Sequence, residues 1–401
     1  MIELEEAVAR ILSGVPSPVA EDLPLSSACR RVLVKTVVSP VNLPLFDNSA
    51  MDGYAVRSVD LTGAKPDSPV KLRLIGRVVA GEVFSGELTS GTCVRLFTGS
   101  PIPAGADAVV MQEDTRVPPE SRSEVLVVEP VKAGESVRRR GEDATAGSTL
   151  AEAGMLLGSG ALNLLAAAGV GRVAVGRQPV VGLLATGSEL REPGQSLAPG
   201  QIYESNRLAL AAAIAQAGGV PISFPLVHDS LEATRHALNR AFDQCDAVVT
   251  SGGVSVGEMD FVKDAFTASG GELQFWKVAI KPGRPFVLGR RGPQFLFGLP
   301  GNPVSAMVTF VLLVRPALWR WQGASEVSLP KTWGVLAEPA ANPGPRRHFL
   351  RVKIDSAGQV YSAGLQASHV LSSLARANGL LDLPSGTTLP TGAPVQVLRF
   401  E

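Results

Sequence analysis

Three short segments carry residue types suited to holding a phosphate ester beside a metal ion. They are Ala185-Thr186-Gly187-Ser188-Glu189-Leu190, the run Thr250-Ser251-Gly252-Gly253-Val254-Ser255 that continues through Gly257-Glu258-Met259-Asp260, and Gly298-Leu299-Pro300-Gly301-Asn302-Pro303-Val304-Ser305-Ala306. Gly252 and Gly253 remove side chains, so backbone N–H groups can turn toward phosphate oxygens. Asn302 suits a helix cap and Pro303 the first helical position, which predicts a helix from about Val304 with free N–H donors at its start. Glu189, Glu258 and Asp260 then bring carboxylates into an anion site. Such a mixture needs a divalent cation between the like charges, and Mg²⁺ held by one or two carboxylates plus phosphate is the usual answer. Read singly, Ser-Gly-Gly is an ordinary turn, Glu189 a solvated residue and Asn302-Pro303 a plain cap. Three such segments, each after an apolar run, argue for a shared site.

A basic segment follows the second loop: Trp276-Lys277, then Lys281-Pro282-Gly283-Arg284-Pro285. The prolines forbid a helix there and predict a strand ending in a rigid turn that presents Lys281 and Arg284. Upstream, Asp47-Asn48-Ser49-Ala50-Met51-Asp52-Gly53 reads either as a hairpin turn or as a polar loop that meets a ligand. Arg138-Arg139-Arg140-Gly141-Glu142-Asp143 reads either as a solvated charge cluster, the favoured reading, or as a phosphate contact. The histidines 228, 236, 348 and 369 have no zinc spacing. There is no P-loop lysine, no spaced dinucleotide glycine motif in these loops and no nucleophile elbow, which sets aside ordinary NTPase, dinucleotide and serine-hydrolase chemistry.

The elements that must position these residues differ in texture along the 401-residue chain. From residue 179 to about 328, apolar runs (Val180-Val-Gly-Leu-Leu-Ala, Asp246-Ala-Val-Val-Thr, Gln294-Phe-Leu-Phe-Gly-Leu) alternate with helical stretches. That is the pattern of a parallel sheet covered on both faces, with ligands beyond the carboxyl ends of its strands. Residues 46–140 alternate polar and apolar, as in Lys71-Leu-Arg-Leu-Ile-Gly and Glu124-Val-Leu-Val-Val-Glu, and read as a β-rich insertion. It splits a linker domain made of residues 1–45 and 141–178, where Leu4, Val8 and Ile11-Leu12 recur at helical spacing. Residues 329–401 return to strands and predict a small β barrel. The fold class is thus multidomain α/β plus β, and a length of 401 residues fits several cores better than one.

Composition narrows the partners. Lys plus Arg and Asp plus Glu are 37 each, so no net field draws in nucleic acid or an anionic membrane. Three cysteines, without a Cys-x-x-Cys pair, give neither a disulfide framework nor a zinc ribbon and point to a reducing compartment. The acidic first residues do not read as a signal peptide, and no uninterrupted apolar stretch has spanning length, so a cytoplasmic protein without membrane association is expected.

As a set and in this order, Asn48-Ser-Ala-Met-Asp-Gly-Tyr-Ala, Arg140-Gly-Glu-Asp, Ser251-Gly-Gly-Val-Ser-Val-Gly, Lys281-Pro-Gly-Arg-Pro and Gly298-Leu-Pro-Gly-Asn-Pro-Val-Ser-Ala resemble the molybdopterin molybdenumtransferase family, which includes bacterial MoeA and the E domain of gephyrin. The resemblance covers essentially the whole chain. It implies a homodimer of four-domain subunits whose α/β part is a MoaB/Mog-like molybdopterin-binding domain, its cleft completed by the inserted β domain of the other subunit. The implied reaction consumes adenylylated molybdopterin and molybdate and releases AMP with Mg²⁺ required; other proteins of cofactor biosynthesis are implied as further partners. By the same resemblance Asp260 and Glu189 manage Mg²⁺ and the pyrophosphate, within a site that takes in Thr186, Gly187, Ser251, Gly252, Gly253 and Asn302. Asp229, Asp143, Asp52 and Thr98 are needed for activity or line the cleft from the partner. Ser255, Lys281, Arg284, Arg351 and Ser368 hold the molybdate, with Lys277 nearby, while Pro300 and Pro303 shape the third loop. Arg284 stands where many members have Lys, which keeps the charge but replaces a point charge with a planar fork. A non-catalytic scaffold and a pterin-adenylylating enzyme are the competing readings.

Overall fold

The computed structural model describes residues 1–79, 81–254 and 260–400. Ser255, Gly257 and Glu258 of the second loop therefore lie outside the described residues.

The three apolar runs become the central strands of a six-stranded sheet, in the order Val220–Ser223, Val180–Ala185, Ala247–Ser251, Gln294–Leu299, Val287–Arg291 and Glu272–Trp276. The first four are parallel, and the last two turn back as an antiparallel edge. Side chains alternate across the sheet, and both faces are buried, which is why the strands read as unbroken apolar runs. Val181, Leu183, Val249, Phe295 and Phe297 enter one core with Leu210 and Ile214 of the helix Asn206–Gln216 and with the helix beginning at Pro303. Leu184, Val248 and Leu296 enter the other, against Leu238 and Phe242 of Leu231–Phe242 and Phe266 of Val262–Ala268.

The first core recruits distant sequence. Leu4, Ala7 and Ile11, on one face of the helix Leu4–Gly14, pack into it. The helical stretch Pro303–Trp321 is long and apolar enough to cross a membrane by length and composition, but 78% of that window is buried inside the protein, so it serves as a core helix. Its middle, Phe310–Val314, widens to a π turn just before Pro316, a residue with no N–H to return to Leu312.

Residues 20–38 pair with 149–176: Ala20–Pro24 runs antiparallel to Arg172–Gly176, and Val37–Val38 to Thr149–Ala151. Leu33, Leu157, Leu165 and Val175 fill the small core between them. The β-rich insertion forms its own six-stranded sheet around Gly53–Val56, Thr92–Leu96 and Val70–Val78. At the C terminus, Arg347–Ile354 pairs with both Gln359–Ser362 and Gly379–Leu383, closing a five-stranded barrel. The strand Ile280–Lys281 belongs to the α/β segment by sequence but pairs in parallel with Arg347–Ile354, joining the sheet domain to the barrel.

Candidate active site

At the carboxyl ends of the parallel strands the three predicted loops converge. One cleft of about 300 Å³ is lined by Thr186, Gly187, Glu189, Asp229, Gly252, Gly253, Asp260, Pro300, Gly301 and Asn302, with Val254 and Pro285 completing its wall. The convergence follows from strand pairing. The strand Ala247–Ser251 lies between Val180–Ala185 and Gln294–Leu299 in matched register, Ala185 against Ser251 and Ser251 against Leu299. The loops therefore start at one level. Thr186 N donates to Ser251 O at 3.1 Å and Gly252 N to Leu299 O at 3.1 Å, which carries the ladder one residue past the strands.

Backbone shape explains the glycines. Gly252 and Gly253 have φ of +91° and +68°, in the region that side chains disfavour. A Cβ on Gly252 would sit 2.8 Å from Thr186 O, and one on Gly253 2.7 Å from Val262 Cγ2. Gly187 leaves room for Glu189, whose Oε2 would be only 2.8 Å from a Cβ at 187. Asp229 is tied to the first loop by a reciprocal pair of bonds: Ser188 N donates to its Oδ2 at 2.9 Å, and its own N–H donates to Ser188 Oγ at 3.1 Å.

The donor set suits a hard cation bridged to phosphate. Glu189, Asp229 and Asp260 face one cleft, yet among the described residues no three acidic, His or Cys side chains are grouped closely enough to hold a metal by themselves. A cation here would take its remaining ligands from substrate oxygens and water, as Mg²⁺ does. Thr186 Oγ1 is a buried hydroxyl without a partner among the described residues, and its residue lines the cleft. An orphaned hydroxyl of this kind costs free energy unless a ligand satisfies it. Asn302 caps the helix that begins at Pro303 without a side-chain bond to its own first turn, so its amide is left for the cleft it lines.

The basic residues form a second group where the sheet domain meets the barrel. Lys281 stands in register with His348. Burial pushes the His348 imidazole down to about 4, with Lys281, Arg351 and Arg346 adding to the shift. Arg346 is likewise lowered, by burial and then by Arg284. Arg351 is 0% exposed and lowered to about 10 by burial, although it donates to Ser373 Oγ and to the carbonyls of Leu365 and Ala367 at 3.2, 3.0 and 3.1 Å. Its Nη1 and the Nε2 of His348 are buried without partners among the described residues. Five basic groups thus converge with two orphaned nitrogens among them. Lys281 and Arg284 are exposed and Arg346 half-buried, so the buried cation is Arg351, whose burial is unfavourable without a compensating anion. Arg346 and His348 were not among the residues singled out from sequence; the Arg346-Arg347-His348 run was the available signal. Ser368 enters through its backbone, accepting from Val304 N at 3.2 Å, and so connects this region to the third loop. Lys277 has a φ of +74°, and its Nζ lies 3.6 Å over the Trp276 ring, at the cleft end of the antiparallel edge.

Asp52, Thr98 and Asp143 line no part of the cleft in this chain. Asp52 accepts from Thr98 N and Oγ1, both at 2.8 Å, and these bonds hold its carboxyl below the usual range. The nearby arginine run is partly structural: Arg139 pairs with Asp47 at 2.8 Å, and Arg140 N donates to the same carboxylate at 2.8 Å. Asp143 is exposed.

A parallel α/β domain with a glycine-and-carboxylate cleft, joined to a discontinuous N-terminal region and a C-terminal barrel, defines a multidomain α/β protein with its ligand cleft at the strand ends. Family models match in the same order: the MoeA N-terminal region (domains I and II) over residues 2–169, a probable molybdopterin-binding domain over 182–320 and the MoeA C-terminal region (domain IV) over 334–400. A molybdopterin molybdenumtransferase 2 from Mycobacterium tuberculosis is 41% identical over 382 residues, covering 94% of each chain. The molybdopterin molybdenumtransferase of Haemophilus influenzae is 38% identical, covering 94% of this chain and 93% of its own. The crystal structure of a molybdopterin biosynthesis MoeA protein from Pyrococcus horikoshii superposes with a TM-score of 0.85 at 30% identity over all of both chains. The chain belongs to the MoeA family of molybdopterin molybdenumtransferases, transferases of molybdenum cofactor biosynthesis.

Proposed function

We propose that the chain transfers molybdenum from molybdate to adenylylated molybdopterin, releasing AMP. The observation that carries this reading is the single cleft in which Thr186, Gly187, Glu189, Asp229, Gly252, Gly253, Asp260 and Asn302 meet beyond the strand ends. Backbone N–H groups of the glycine loops and the Asn302 amide would hold the pyrophosphate. Glu189 and Asp260 would hold Mg²⁺, which when bound neutralises phosphate charge. Lys281, Arg284 and Arg351 would hold the molybdate dianion, joined by Arg346 and by a neutral His348 that donates one N–H. Proximity and charge neutralisation then supply the catalysis: the side chains hold two anions together while a molybdate oxygen or a water attacks the AMP phosphorus. The phosphorus–oxygen anhydride bond breaks to release AMP, and the dithiolene sulfurs bond the molybdenum as its displaced oxygen leaves as water. No side-chain nucleophile is required.

Asp52, Thr98 and Asp143 fit this reading if a second copy completes the cleft, since within one chain they lie outside it. The protein would then act as a homodimer. A non-catalytic scaffold on the same fold has no specific observation in its favour, because the relatives carry enzyme names over nearly the whole chain. The test is AMP release by purified protein from adenylylated molybdopterin. Release that requires both molybdate and Mg²⁺ is expected; binding without release would leave a carrier, and ATP consumption would mark an adenylylating enzyme.

A further inference from the structure

Between the first and second loops the chain forms the helix Asn206–Gln216, and its first residue reaches back into the site. Asn206 Nδ2 donates to Ser251 Oγ at 2.6 Å and to Gly301 O at 2.8 Å. An amide nitrogen carries two hydrogens, and each of them goes to a different ligand loop. The two loops nearly touch there, since a Cβ on Gly301 would lie 3.5 Å from Gly252 Cα. The helix start is itself anchored. Arg207 is 7% exposed; its N–H and Nε donate to Glu204 at 2.8 and 3.1 Å, and its Nη2 donates to Glu192 at 2.6 Å. Glu192 directly follows the strand Leu190–Arg191 that leaves the first loop. All three loops are thus referred to one rigid point.

We infer that Asn206 is a positioning residue that clamps the Ser251–Gly253 and Pro300–Asn302 loops at the spacing the pyrophosphate needs, with Arg207 fixing the clamp to the first loop. This rests on the proposed function for its ligand, although the clamp itself does not. The clamp acts on the pterin nucleotide and not on molybdate, because neither of its bonds involves the basic group around Lys281 and Arg351.

Asn206→Asp keeps the size but removes both donors and sets a carboxylate against the Gly301 carbonyl. The expected result is a KM for adenylylated molybdopterin raised on the order of 10-fold, since small misplacements of a binding group cost up to about 100-fold, with the KM for molybdate unchanged. Hydrogen exchange at residues 251–254 and 300–302 should rise together while the strand Val180–Ala185 keeps its protection. Asn206→Ala, which removes the donors without adding charge, should reproduce the pattern should the Asp variant fold poorly. Wild-type exchange in both segments, or a uniform fall in kcat with both KM values unchanged, overturns the clamp. A wild-type protein that releases no AMP defeats the proposed reaction instead, and the exchange measurement still judges the clamp.

Discussion

Two regions of this molecule suit the two anions of the proposed reaction, and they are built on opposite plans. The strand-end cleft is made of backbone: glycines at positive φ, carbonyls in continued register and three acids, with no lysine or arginine in its lining. The group at the junction of sheet and barrel is made of side chains, with Lys281, Arg284, Arg346, His348 and Arg351 brought together from two domains. The first plan requires a cation to make the site usable by phosphate. The second sets one buried cation, Arg351, beside exposed Lys281 and Arg284, and an anion would offset that burial. A phosphate ester carrying many oxygens is gripped well by many weak donors, whereas a small tetrahedral dianion is gripped by a few strong ones.

The largest effect that would break this comparison is expected in the cleft. Asp260→Ala should lower AMP release about 100- to 1000-fold, the scale of losing one preorganised electrostatic partner. Added Mg²⁺ should recover little of it. A variant that works at the wild-type rate would show that the acids of the cleft are not needed to join cation and phosphate, and the contrast with the basic group would lose its meaning.

A second test addresses the junction. Arg351 has no carboxylate partner among the ion pairs of the described residues, and its burial already lowers it to about 10. In Arg351→Met, relief from burying a lone cation offsets the lost hydrogen bonds, so stability should change little while anion binding disappears. At molybdate 100 times its Kd, the wild type should gain about 2.7 kcal/mol, read as a rise in Tm, and the variant nothing. A variant that is much less stable, yet still stabilised by molybdate, would make Arg351 a structural prop.

The two plans also differ in how far sequence reveals them. Each cleft loop is contiguous and follows its own strand, so Ser251-Gly252-Gly253 and Pro300-Gly301-Asn302 announce both their place and their backbone shape. The basic group depends on one pairing, Ile280–Lys281 beside Arg347–His348, and the neighbouring Arg346 bond to Ile280 O joins residues 66 positions apart in sequence. No local pattern encodes that contact. Lys281 and Arg284 were legible as a basic turn fixed by prolines, Arg351 only through the family resemblance, and Arg346 and His348 were not singled out. The clamp at Asn206 was hidden for a similar reason, since a helix-opening Asn looks the same whether it caps its own turn or reaches to Ser251 and Gly301. The helix Leu4–Gly14 was visible from its spacing, but the sheet core it covers lies far along the chain.

The smallest of the three effects links the two regions through pH. His348 is 5% exposed, and its imidazole falls from an ordinary 6.5 to about 4, first through burial and then through Lys281, Arg351 and Arg346. The unfolded chain therefore binds a proton that the folded chain refuses, and stability must fall as pH drops from about 6.5 toward 4. By pH 5 the loss amounts to about 2 kcal/mol at most. The lowered carboxyls of Glu5, Asp47 and Asp52 start from 4.5, 3.8 and 3.8, so their losses come mainly below this window. Urea midpoints measured between pH 7 and 5 should decline in the wild type and flatten in His348→Gln. Molybdate sharpens the comparison, because a dianion beside His348 favours the protonated ring. Saturating molybdate should then flatten the wild-type slope and bind more tightly as pH falls, whereas AMP, held in the cleft, should leave the slope as it was. A slope that AMP removes and molybdate does not would exchange the roles of the two regions.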